Sequence, residues 1–304
     1  MNAVAAHPAS LRGTLLRDEP MARHTTWRVG GPADRFYMPA DADDLAAFLR
    51  GLPVDEPLFW LGLGSNLLVR DGGIRGTVIA TAKSLGALVR VDATHVRVEA
   101  GVPCAILARF CAREGLAGAE FLVGIPGTFG GALAMNAGCF GGETWALVEE
   151  VETMDRAGCR YVRRPDEFEV GYRHVRGPAG EWFIAATLRL TPGDADELAA
   201  RMRGWLEKRS ASQPTQQANA GSVFRNPPGD FAGRLIEASG LKGFCIGGAC
   251  VSEKHANFIV NTGAATAADI EALIQHVAER VEAQHGIRLE TEVRVVGEPL
   301  QRRT

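Results

Sequence analysis

The placement of glycine constrains this chain more than any other feature of its sequence. Its 36 glycines are concentrated between residues 62 and 76, 124 and 142, and 240 and 248. A glycine lets the backbone turn tightly, or approach another group where a Cβ would collide, so these stretches read as loops with a task. Short strand candidates lie between them, at Leu58–Leu61, Thr77–Ala80 and Val96–Ala100, each bounded by Gly, Pro or Asp. At 304 residues the chain fits two domains, or one domain with a substantial addition.

Helical periodicity appears at 103–115, where Ile106, Leu107, Phe110 and Cys111 share a face between Pro103 and Gly115. Trp182–Leu190 alternates as a half-buried strand. Asp194–Arg209 reads as a helix with Leu198, Met202, Trp205 and Leu206 on one stripe. Ser210–Ala220, rich in Ser, Gln, Pro, Asn and Ala, lacks apolar periodicity and reads as a linker or a substrate loop. A short helix is expected around Ala232–Ser239, a strand at Phe258–Asn261, and a long helix from near Thr266 with the stripe Ile270, Leu273, Ile274, Val277 and Val281. The closing segment Ile287–Val296 is expected to be a strand, with Leu289, Thr291, Val293 and Val295 on one face and Glu290, Glu292 and Arg294 on the other. The class is therefore α+β, with the first domain ending near residue 208 and a smaller one at 209–304.

Composition excludes several functions. A hydrophobic fraction of 46% and a charged fraction of 23% are those of a folded globular chain. The net charge of -3 provides no general field for nucleic acid or an acidic membrane surface. No stretch approaches the roughly 20 apolar residues of a membrane helix, and the amino terminus has no basic-then-apolar signal pattern, so the expectation is a cytoplasmic protein without membrane or nucleic-acid partners. Six cysteines (Cys104, Cys111, Cys139, Cys159, Cys245 and Cys250) form no C-x-x-C pair and no cluster with histidine. Reduced thiols and no metal site are expected.

Five motifs carry chemistry. After the Leu58–Leu61 strand comes Gly62-Leu63-Gly64-Ser65-Asn66-Leu67, whose backbone N–H groups and polar side chains suit a pyrophosphate. It is not the dinucleotide-fold fingerprint, since the third glycine is missing and Val69, Asp71, Gly72 and Gly73 read as continued loop. Gly124-Ile125-Pro126-Gly127-Thr128 runs through Gly130-Gly131 to Asn136-Ala137-Gly138, and so little bulk suits either a flat cofactor or a helix packed closely on a sheet. Tyr172-Arg173 offers a permanent cation able to hold a carboxylate by two hydrogen bonds. Gly221-Ser222-Val223-Phe224-Arg225-Asn226 presents a hydroxyl between a flexible backbone and apolar anchors, without the G-x-S-x-G elbow of a hydrolase. Last, Leu289–Arg294 sets Glu290 and Glu292 on one face, an arrangement that composition alone leaves as a solvated surface.

Taken in order, these segments, with Thr26–Ala33 and Val251–Phe258, closely resemble the UDP-N-acetylenolpyruvoylglucosamine reductase family over nearly the whole chain. The resemblance implies an FAD-binding domain of the p-cresol methylhydroxylase/vanillyl-alcohol oxidase type at 1–208, in subdomains of about 1–82 and 83–208, followed by an α+β substrate-binding domain at 209–304. It implies NADPH-dependent reduction of the enolpyruvyl ether of UDP-N-acetylglucosamine through bound FAD, in peptidoglycan precursor synthesis, by a monomer or weak dimer. The family's catalytic arginine then falls on Arg173, its proton-donating serine on Ser222 and its glutamate on Glu292, which either orients a partner or supplies a proton itself. FAD contacts fall on Gly62, Gly64, Ser65, Asn66, Leu67, Ile125, Pro126, Gly127, Thr128, Gly130, Gly131, Asn136, Ala137 and Gly138. Substrate contacts fall on Tyr172, Arg225, Asn226, Lys242, His255 and Asn257. The chain is similar to the shorter branch of the family, lacking a tyrosine-bearing insertion after Arg173, and carries His174-Val175 where relatives often have Asp-Ser. Two competing readings are an FAD-linked oxidase or dehydrogenase on the same scaffold and a non-catalytic flavin or nucleotide-sugar binding module; the serine and glutamate motifs separate the first, and bleaching of a bound flavin by NADPH separates the second.

Overall fold

The computed structural model describes residues 11–300. The amino-terminal stretch read above for a targeting signal falls partly outside them. Six α-helices are present among the described residues: α1 (Ala42–Arg50), α2 (Cys104–Arg113), α3 (Phe129–Met135), α4 (Ala195–Ser212), α5 (Ala232–Ala238) and α6 (Ala267–His285). The chain forms two compact units. One comprises residues up to Leu16, Arg35–Gly62 and Gly76–Met202; the other comprises Arg17–Asp34, Leu63–Arg75 and the chain from Arg203 onward. The division is discontinuous, whereas the sequence reading drew a single cut near residue 208.

The first unit is organised by an antiparallel sheet in the order Arg160–Arg163, Val148–Asp155, Glu181–Arg189, His95–Glu99, Leu88–Arg90. Val96, Val98, Val151, Met154, Ile184 and Leu188 are buried, and Val96 and Val98 show the period of two that lets one face of a strand leave water. Helix α3 packs on Glu181–Arg189 and His95–Glu99. A Cβ on Gly130 would lie 2.7 Å from that of Ala100, so glycine is what permits this approach. In α1, Asp41 caps the first turn by accepting from Asp44 N–H, and Leu45, Phe48 and Leu49 are buried, each stabilising by about 1.5–3 kcal/mol. Leu58–Leu61 runs parallel to the Thr77–Ala80 end of the strand Ile74–Ala80.

The second unit is built on α6, whose expected stripe of Ile270, Leu273, Ile274, Val277 and Val281 is buried in full. Thr266 and Asp269 form a capping box at its start, Asp71 accepts from the N–H groups of Ala267 and Ala268, and Gly286 (φ 67°) ends it in the left-handed conformation. A three-stranded sheet, Cys245–Ile246, Ala249–Val251, Ile259–Asn261, lies in the same unit. Buried Trp27 donates its indole N–H to Ile259 O, and Asn261 Nδ2 donates to Trp27 O.

Three expectations are corrected here. Of the residues read as continued loop, Val69 is not loop: it ends the buried strand Leu67–Val69, parallel to Arg294–Val296. Only Arg294–Val296 of the expected closing strand is strand, because the partner is three residues long; the preceding segment makes a single bridge, Thr291 to Phe224. Its buried side chains are accordingly Leu289 and Val293, four apart, with Thr291 exposed. Finally, Cys245 and Cys250 are directly opposed in their hairpin, with Cα atoms 4.1 Å apart, and are joined by a disulfide. Cys104, Cys111, Cys139 and Cys159 are not disulfide-bonded among the described residues. No helix among the described residues is long and apolar enough to cross a membrane.

Candidate active site

In the first unit, the strand Leu58–Leu61 delivers Gly62 against Thr128. An ideal Cβ on Gly62 would lie 2.3 Å from Thr128 Oγ1, so a side chain there would collide with the Thr128 side chain, which the main chain of residue 62 approaches this closely because it is glycine. Thr128 is fully buried and caps α3, its Oγ1 accepting from Gly131 N–H. Phe129 N–H donates to Val102 O and Gly130 N–H to Ala100 O. The amides of Gly130 and Gly131 are thus engaged within the protein, and the close packing of helix on sheet accounts for Gly130, whereas a Cβ on exposed Gly131 would meet only an ordinary contact with Thr128 Oγ1 at 3.7 Å. Ile125 N–H donates to Leu122 O, which leaves Gly127 and Thr128 as the amides of this segment with no acceptor among the described residues. Pro126 is exposed, and Ile125 and Gly127 are half-buried. A strip of main chain with two free donors beside a glycine fits an anionic group such as a pyrophosphate.

Arg173 occupies the turn of a hairpin formed by Glu169–Gly171 and His174–Arg176, with Gly171 paired to His174. Its backbone is left-handed (φ 53°), and its guanidinium lies 5.0 Å from the ring centroid of Tyr172, a half-exposed side chain. Nη2 donates to Gly138 O at 3.0 Å and Nη1 to Asn136 O at 3.5 Å. Asn136, Ala137 and Gly138 therefore gather at the arginine, at the carboxy-terminal end of α3, where carbonyls favour a cation.

The second unit contains Ser222 and Glu292, and its main chain laces their segments together. Val223 N–H donates to Asn257 O, Glu292 N–H donates to Val223 O at 2.8 Å, and Arg225 N–H donates to Glu290 O. Ser222 is half-buried and adjoins Gly221 (φ 76°), whose N–H is held by Asn219 Oδ1. Asn66 joins the same region: its Nδ2 donates to Glu292 O, and its carbonyl accepts from Arg294 N–H. Gly64 is pressed against His24 O, Ser65 is half-buried, and Leu67 is buried in the short strand.

The residues expected to touch substrate divide. Asn257 is buried, with Oδ1 accepting from Phe224 N–H and Nδ2 donating to Phe224 O, so its amide imitates a strand partner. Asn226 Oδ1 accepts from Ala232 N–H at the start of α5, and Lys242 pairs with Glu237 at 2.7 Å. Arg225 is half-buried, 4.0 Å from Glu290. His255 is held below its ordinary pKa by burial and, secondarily, by Lys242. The sequence reading missed that Asn136 and Asn257 are anchors. An asparagine directly after a helical run, a position that favours the left-handed conformation, was the available signal for the first; nothing local distinguished the second.

The model of the UDP-N-acetylenolpyruvoylglucosamine reductase C-terminal domain matches residues 213–296, and that of an FAD binding domain matches residues 33–162. The UDP-N-acetylenolpyruvoylglucosamine reductase of Methylococcus capsulatus is 63% identical over 290 residues, covering 95% of each chain. That of Legionella pneumophila is 58% identical over 295 residues, covering 97% of this chain and 96% of its own. The crystal structure of the Thermus caldophilus reductase superposes with a TM-score of 0.79 at 35% identity, covering 93% of this chain and 98% of that one. The matched domains agree with the expected order, an FAD-binding part followed by a smaller carboxy-terminal domain. Identity of this extent along nearly the entire length makes the chain a member of the UDP-N-acetylenolpyruvoylglucosamine reductase family.

Proposed function

We propose that the chain reduces the enolpyruvyl ether of UDP-N-acetylglucosamine to UDP-N-acetylmuramate, an NADPH-dependent step of peptidoglycan precursor synthesis. The observation that carries this reading is the pairing of Glu292 N–H with Val223 O, which unites the serine and glutamate motifs in the unit that contains the family's carboxy-terminal domain. Bound FAD, with NADPH as its reductant, would supply the hydride chemistry needed at the terminal carbon of the enol ether. Gly62, the amides of Gly127 and Thr128, Ser65 and Asn66 are the residues that would hold it.

Hydride addition leaves negative charge on the substrate carboxylate. Arg173 stabilises it, its guanidinium already oriented by the carbonyls of Asn136 and Gly138. Ser222 gives its hydroxyl proton to the carbon bearing the carboxylate, completing net addition of two hydrogens. Glu292 polarises Ser222 for this transfer. Arg225, Lys242 and His255 contact the nucleotide sugar. The protein works in the cytoplasm, where NADPH and nucleotide sugars are made, as a monomer or weak dimer without nucleic-acid or membrane partners.

The test is an anaerobic reaction in two stages. NADPH should bleach the flavin of the purified protein, and the enolpyruvyl nucleotide sugar should restore its colour with formation of the saturated product. Bleaching without restoration by this substrate would contradict the proposal.

A further inference from the structure

Asn136 was expected among the FAD contacts, yet its side chain is committed elsewhere. It is 2% exposed. Its Nδ2 donates to Gly171 O at 3.2 Å and to Glu143 Oε2 at 3.1 Å, and its Oδ1 accepts from Trp145 N–H at 3.1 Å. Both amide hydrogens are thereby used. Gly171 is the last residue before the Tyr172-Arg173 turn, so the amide fixes the base of the turn, while the Asn136 carbonyl receives the Arg173 guanidinium. One residue thus holds both the base of the arginine's turn and its charged end.

Its neighbours extend the mount. Trp145 donates its indole N–H to Leu133 O in α3 and packs against Phe168, 4.8 Å between ring centroids, just before the hairpin. Phe168 in turn fills the space that a Cβ on Gly177 would need, at the hairpin's other end. The left-handed backbone of Asn136 (φ 42°, ψ 52°) is what turns its carbonyl and its side chain toward this hairpin at the end of α3. That conformation is open to glycine, asparagine and aspartate and disfavoured for most other residues.

We infer that Asn136 is a positioning residue for Arg173, fixing the guanidinium where charge develops on the substrate; this rests on the role of Arg173 proposed above. Its backbone conformation provides a clean test. Asn136→Gly keeps the left-handed cap of α3 and removes only the side-chain amide. In the holoenzyme, flavin occupancy, flavin spectrum and the rate of NADPH bleaching should stay at wild-type values. Reoxidation by the enolpyruvyl sugar should slow by about 10- to 100-fold, the scale of a misplaced catalytic group. Trypsin should cleave after Arg173 and Arg176 faster than in the wild type. Asn136→Asp, which keeps the shape but turns both donors into acceptors facing Glu143 and Gly171 O, should be slowed at least as much.

Reoxidation at the wild-type rate in Asn136→Gly overturns the inference, and so does loss of flavin, which would return the residue to the cofactor. Arg173→Ala measured alongside separates this failure from that of the functional reading. Should Arg173→Ala also reoxidise normally, the role of Arg173 falls, and the inference with it. If glycine at 136 prevents folding, Glu143→Ala carries the test. It removes an exposed anchor of the same amide and should slow reoxidation by about 2- to 5-fold, on the scale of one surface hydrogen bond; an unchanged rate contradicts the inference.

Discussion

The two units hold their chemistry in different ways. In the first, Arg173 sits on a two-residue turn secured by a side-chain amide and two carbonyls. In the second, Ser222 and Glu292 lie in segments laced main chain to main chain through Val223, with Asn257 closing the lattice on Phe224. A long cation on a turn depends on a few anchors, so single substitutions should misplace it without unfolding anything. A hydroxyl on a laced segment should be hard to misplace, and substitutions behind it should register as stability instead.

The largest expected effect is on the arginine. Arg173→Ala should slow reoxidation of the reduced flavin by substrate about 100- to 1,000-fold in single-turnover measurements, as removal of a preorganised charge donor does, with the flavin spectrum intact. Simultaneous loss of FAD would make Arg173 a structural residue and break the comparison. Ser222→Ala should bind FAD, accept hydride from NADPH normally and then reoxidise about 100-fold slowly. Glu292→Gln, which keeps the hydrogen-bonding shape, should cost less than Ser222→Ala; an equal or greater cost would make the carboxyl the proton donor.

Next comes the lattice. Asn257→Ala strands the N–H and C=O of buried Phe224 and should lower unfolding free energy by about 1–3 kcal/mol in a denaturant titration. An unchanged midpoint would show that the amide pair is dispensable. The smallest effect concerns pH. Because burial and Lys242 depress the His255 pKa, the folded state disfavours its protonation. The unfolded chain then binds the extra proton first, so this group's contribution is present above its unfolded pKa of about 6.5 and lost as pH falls below it. His255→Gln should therefore flatten the stability profile between pH 7 and 5, and an unaltered profile would assign the acid sensitivity elsewhere.

Much of this was legible in sequence where a local period or cap decides the structure. The stripe of α6, its Thr266 start and the strand Leu58–Leu61 need no distant partner to be recognised. The segments misjudged are those whose state is set from far along the chain. Leu67–Val69 is a strand because Arg294–Val296 pairs with it across more than 200 residues, and residues 287–293 are not strand because that partner is so short. The opposition of Cys245 and Cys250 follows from hairpin register, which cysteine spacing does not express. Arg173, Ser222 and Glu292 were visible as motifs, but the asparagines that hold their segments were not, since a buried amide bonded to main chain carries no pattern of its own.

A double-mutant cycle tests most directly the proposal that Arg173 and Ser222 serve one transition state. Single-turnover reoxidation would be measured for Arg173→Ala, Ser222→Ala and the double variant, each first reduced by NADPH. If the cation and the hydroxyl act on the same reacting enolpyruvyl group, the double variant should be little slower than the worse single one. Rate losses that multiply in full would mean that the two residues act independently, and would contradict the account.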